Sequence, residues 1–72
     1  MVDGKLLIAE IKEVGIPKTV LAAKCKISRQ TLDYKLGHPN AITADEACLM
    51  AKALRITDTD RLMAIFFADE VE

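Results

Sequence analysis

A chain of 72 residues holds one hydrophobic core and no more, because a domain this small buries only about 60% of the surface its unfolded form exposes; a single domain over 1–72 is expected. At 51% apolar and 29% charged the composition excludes a disordered chain, and no apolar stretch nears the roughly 20 residues that a membrane span needs. The net charge of −1 weighs against binding nucleic acid through bulk charge alone, since phosphate neutralisation by Lys and Arg supplies most non-specific affinity.

Apolar residues recur at helical spacing, and nowhere does alternation run long enough for a half-buried strand. Leu6, Leu7, Ala9, Ile11 and Val14 predict a first helix, capped by Asp3 and stopped by the left-handed conformation that Gly15 favours. Pro17 fits the first turn of a short second helix that Val20, Leu21, Ala22 and Ala23 carry to about Lys24. Ser28 caps a third helix running through Thr31, Leu32 and Lys35 to Leu36, after which Gly37, His38, Pro39 and Asn40 break the chain. Thr43 followed by Glu46 forms a capping box for a fourth helix, with Ala47, Leu49, Met50, Ala53 and Leu54 as its apolar residues. Thr57 and Asp60 are expected to repeat that device. They open a last helix in which Leu62, Met63, Ile65 and Phe66 close over the core, before Asp69, Glu70 and Glu72 end the chain in water. The expected architecture is all-α, five short helices without an internal repeat. Because Phe66 and Phe67 are adjacent, only one ring can face the core; the other lies sideways, for a dimer contact or shielded by the chain end.

Cys25 and Cys48 read as small buried hydrophobes. With His38 the only histidine there is no ligand set for zinc, and no cofactor is expected. The start of the chain lacks a secretory leader pattern, so a reduced, cytoplasmic setting is expected. No nucleophile and base stand at a telling spacing, and the neighbouring Asp45 and Glu46 suit a helix start, so neither an enzyme nor a small-molecule substrate is expected.

Charge is unevenly spread. Residues 17–38 hold Lys18, Lys24, Lys26, Arg29 and Lys35 against Asp33 alone, a local balance of +4, whereas 39–72 hold three basic and seven acidic groups. That pattern predicts one basic face and an acidic remainder turned away from any duplex. Within it, Ala22 is small where two helices approach most closely, and Leu21, Ile27 and Leu32 form an apolar seam. Arg29, Gln30, Asp33 and Tyr34 then share the opposite side of the third helix.

The stretch VLAAKCKISRQTLDYKLG resembles the motif of the lambdoid phage repressor and Cro type of helix-turn-helix regulators, the XRE family. The flanking helices and the closing IFFADEVE extend the resemblance over nearly the whole chain. It implies a lambda-repressor-like domain that binds double-stranded operator DNA, usually as a homodimer, and regulates transcription. Carried over to this chain, it implies that Arg29 reads guanine and Gln30 adenine, and that Asp33, one turn on, accepts from cytosine or repels phosphate. Tyr34 is either a further base contact or a ring packed on the domain edge. Lys18, Ser28, Thr31, Lys35, His38 and Asn40 are implied as phosphate contacts. Two positions depart from the family pattern. Lys26 stands where glycine is favoured, which forces a lysine toward positive φ, and Lys35 stands where a branched apolar residue is common, which leaves packing to Leu36. A different reading stays open: a protein-interaction module on the same frame, binding another regulator through the acidic half and Phe67.

Overall fold

Each helix begins and ends on a specific backbone contact. In the computed structural model, which describes residues 1–70, the Asp3 carboxylate accepts the N–H groups of Lys5 and Leu6, both at 3.1 Å, and so opens α1 (Gly4–Val14). Gly15 stops it at φ 78°, its N–H bonded to the Ile11 carbonyl. Pro17 lies one residue earlier than the sequence suggests, flanking α2 (Lys18–Lys24) from extended backbone. Ser28 caps α3 (Arg29–Gly37), and Thr43 with Glu46 closes both halves of the capping box on α4 (Ala44–Ala53). For α5 (Thr59–Phe66) the expected Thr57–Asp60 box does not form. The cap is Asp58, whose carboxylate accepts from the N–H groups of Asp60 and Arg61, two donors where a threonine hydroxyl at the cap ordinarily takes one. Short 3-10 turns at Pro39–Ala41 and Ala68–Glu70 complete the chain; the exposure expected of Glu70 and Glu72 lies outside the described side chains. Among the described residues there are five α-helices and no strand, and no helix is long and apolar enough to cross a membrane.

α2 and α4 stop in the same way. The Ile27 N–H reaches back to the Ala22 carbonyl at 3.0 Å and the Lys26 N–H to Ala23 at 3.1 Å; Ile56 and Arg55 repeat this on Ala51 and Lys52, each at 3.1 Å. Both stops need one left-handed residue, and neither has a glycine: Lys26 sits at φ 61° and Arg55 at φ 54°. The underlying strings, AAKCKIS and AKALRIT, share an alanine at the start, a basic residue at the left-handed position and an isoleucine after it.

Leu7, Leu21, Leu32 and Met50, one from each of α1 to α4, are fully buried, and Ile65 and Phe66 of α5 join them. Each such side chain contributes on the order of 1.5–3 kcal/mol by leaving water. α2 packs on α3 and α4, while α1 packs on α3 and α5. Gly4 lets α1 approach the α3–α4 connection, since a Cβ there would stand 2.7 Å from the Pro39 ring. Several apolar residues expected inside are exposed, among them Leu6, Val14 and Val20, because the buried stripe of α1 runs through Leu7 and Ile11 and that of α2 through Leu21 and Ala22. Cys25 is buried as expected, whereas Cys48 lies on the exposed side of α4. The sequence assigns no role to Glu10, yet it is buried in α1 and ion-paired with Arg61 of α5, so that charge, together with the Asp3 N–H donating to the Ile65 carbonyl at 2.7 Å, fixes the last helix.

Lys26→Gly and Arg55→Gly should each raise stability by about 0.5–1 kcal/mol, because glycine relieves the left-handed strain at some cost in unfolded-state entropy. Urea denaturation measures it; destabilisation by either change would mean that the stop is built differently.

Candidate nucleic-acid interface

Four residues, Cys25 to Ser28, join α2 to α3, and the left-handed Lys26 turns the chain sharply enough for the two helices to meet. Ala22 is buried at that contact, with Leu21 and Leu32 beneath it and Ile27 half-buried beside them. The expected seam therefore forms. Since Leu32 and Leu36 face inward, Arg29, Gln30, Asp33 and Tyr34 are turned to solvent on the other side of α3, all four exposed.

That outer face carries its own charge network. Lys18, at the start of α2, donates to Asp33 Oδ1 at 3.0 Å, and Arg29 Nε lies 3.7 Å from Asp33 Oδ2. One carboxylate thus holds two of the cations expected to meet DNA. All three groups are more than two-fifths exposed, so the pairs add little stability and their release costs little. Ser28 accepts the Thr31 N–H at 3.0 Å and donates its own hydroxyl proton to Thr31 Oγ1 at 2.9 Å, leaving the Thr31 hydroxyl proton as the one this pair can offer. The ring of His38 stacks on Tyr34, with centroids 4.2 Å apart, so the tyrosine packs within its own helix end while staying exposed. Asn40 is exposed in the 3-10 turn that follows.

Lys35 is the exception among the implied phosphate contacts. Its ammonium turns inward and donates to Glu46 Oε1 at 2.6 Å, Glu46 Oε2 at 2.8 Å and the Ala41 carbonyl at 3.0 Å, and only 15% of its side chain meets solvent. All three donors are spent, so Lys35 leaves the phosphate set and takes up a structural position. Glu46, 13% exposed, also accepts the Thr43 N–H at 2.9 Å. Burial works to raise its pKa, but the bonds from Lys35 and Thr43 override this and hold the carboxyl below its usual range. Burial first, and the Glu46 charge second, push the Cys25 thiol up, which keeps it protonated and inert. Counting Glu46 with the cation it neutralises lowers the +4 of the motif by one. A sequence signal for this pair exists: Lys35 lies three residues after the buried Leu32, on the inward stripe, where a charge needs a partner.

A second feature escapes the motif altogether. Ala47, Ala51, Ile56, Leu62, Phe66 and Phe67 line a groove of about 570 Å³ between α4 and α5, with Lys52 and Arg55 as its charged lining residues. Phe66 belongs to the core, and Phe67 is the ring that lies sideways, 42% exposed. Compared with models of protein families, with curated proteins and with solved structures, the chain matches none.

A carboxyl whose pKa falls on folding contributes stability that is complete above its ordinary value of 4.5 and is lost as pH drops through the depressed folded value. Glu46→Gln should therefore flatten the acid limb of the stability profile below that pH. Lys35→Ala should cost about 2 kcal/mol at neutral pH, as it strands a shielded carboxylate. An unchanged stability with uniformly weakened DNA binding would instead put Lys35 back on the phosphates.

Proposed function

We propose that this chain is a sequence-specific DNA-binding domain of the helix-turn-helix kind, with α3 as reading helix in the major groove, acting as a transcription regulator of the repressor and Cro type. The observation that carries the reading is the uncovered polar side of α3, with Arg29 and Gln30 in its first turn, seated on the rigid seam of Leu21, Ala22 and Leu32. A helix about 10–12 Å across fits a major groove about 12 Å wide; with its first turn at the base edges, the far end of the nine-residue α3, about 13 Å away, lies toward the backbone. Arg29 offers two donors to guanine, and Gln30 a donor and an acceptor to adenine. Lys18, Ser28, Thr31, His38 and Asn40 supply phosphate contacts, and the N–H groups at the start of α3 reinforce them. Asp33 keeps Arg29 and Lys18 extended over this face before DNA arrives; an incoming phosphate competes for Lys18.

One short helix reads few base pairs, so specificity calls for a second half-site and a second copy of the chain. The α4–α5 groove is the face we assign to that copy. It is apolar at its floor and cationic at its rim, and the chain itself carries the complementary anions, Asp58 and Asp60 at the start of α5. The same groove, on a protein of net charge −1, is what favours the other reading, a module that docks a different regulator.

Selection from random duplexes at two salt concentrations tests the proposal, with a preferred half-site and a log–log salt slope of several units expected. Recovery of no sequence would defeat it in favour of the interaction module. Arg29→Ala should cost about 1–3 kcal/mol and relax preference at one base pair, whereas Lys18→Ala should weaken all sequences alike. Asp33→Ala, by freeing both cations, should tighten non-specific binding and steepen the slope by about one to two units. Phe67→Ser should turn a dimer into a monomer by light scattering with little change in melting temperature; a variant that stays dimeric would move the interface elsewhere.

A further inference from the structure

His38 is held in one chemical form by its neighbours. Its Nδ1 lies 2.9 Å from the backbone carbonyl of Tyr34, and a carbonyl only accepts, so Nδ1 carries a proton and donates. In the neutral ring Nε2 is then a bare acceptor, which a phosphate oxygen repels. The ring stacks on Tyr34, inclined by only 15°, with Nδ1 turned to the Tyr34 carbonyl, and the His38 backbone N–H is anchored to the Lys35 carbonyl at 3.1 Å. A second proton, taken from solvent, can therefore enter only at Nε2, where it creates a cationic donor; the tyrosine ring face beneath favours that cation.

We propose that Tyr34 and His38 form a proton-dependent phosphate clamp, in which His38 grips a backbone phosphate of bound duplex DNA only as the imidazolium. The inference rests on the DNA-binding reading above and adds to it a dependence on pH. Gln30, Tyr34 and His38 follow one another at four-residue spacing, so the clamp lies on the same side as the first-turn reader, at the end of α3 that emerges beside the backbone. Charged groups around this end are committed elsewhere: Lys35 and Glu46 to each other, Asp33 to Lys18 and Arg29, Asp3 to the first turn of α1. Glu10 of α1 is held by Arg61; Lys5, Lys12 and Glu13 of α1 and Lys24 of α2 are exposed. The chain holds one histidine, so replacing His38 isolates its share of any pH response.

The test uses the whole chain and a mixture of random-sequence duplexes of about 20 base pairs, titrated at about pH 5.5 and about pH 8. Wild type should bind about threefold to tenfold more tightly at the lower pH, with a salt slope steeper by about one unit per subunit. His38→Gln, whose amide does not change charge, should lose both changes and bind alike at the two pH values. Nitrogen NMR of the free protein at high pH should show the Nδ1-protonated ring; the opposite tautomer would overturn the proposal without any DNA. A wild type that binds equally at both pH values, or a variant that keeps the dependence, sinks the clamp and leaves the DNA-binding reading standing. Failure to bind at either pH sinks both.

Discussion

Glu46 serves two neighbours with one carboxylate, and the placement of α3 depends on its doing so. It accepts the Thr43 N–H, which starts α4, and both of its oxygens face the ammonium of Lys35 near the end of α3. The third donor of that ammonium closes on the Ala41 carbonyl in the connecting turn. Every polar group in this shielded cluster is satisfied, which is the condition under which a buried charge pair is tolerated, and the gain is geometric as much as energetic. An apolar side chain at position 35 would pack on α4 in several ways. A lysine tied to three oxygens fixes α3, the turn and α4 in one arrangement.

The outer face of α3 is governed by opposite physics. Asp33 binds Lys18 and Arg29 through exposed pairs that salt and water screen, so these contacts orient side chains without holding the fold. The same helix therefore has an inner side where charge is locked and an outer side where charge is available. Along the sequence the five cations of residues 17–38 look equivalent. In space one is spent on structure, two share a carboxylate, and Lys24 and Lys26 stand exposed beside the turn.

The twin stops of α2 and α4 lead to different surroundings. After α2, Ser28 caps the next helix at once, and the two helices close on Ala22; after α4, the chain passes Thr57 before Asp58 caps α5. α4 and α5 frame an apolar groove edged by cations. That groove lies on elements other than α3.

The sequence by itself determined the five helices, three of their caps, the stop at Gly15, the positive φ of Lys26 and the seam under α3, because each is set by residues within a turn or two of one another. Only the tertiary structure decided that Lys35 points inward, that Glu10 is buried against Arg61, that Asp58 and not Thr57 caps α5, and that Cys48 is left outside. Periodicity tells which side of a helix is apolar; it does not tell which neighbour will arrive there, and a charge is judged by its neighbour. The candidate reading residues Arg29 and Gln30 were legible because their side of α3 is exposed, whereas the fates of Lys18 and Lys35 depended on carboxylates distant in the chain and close in space.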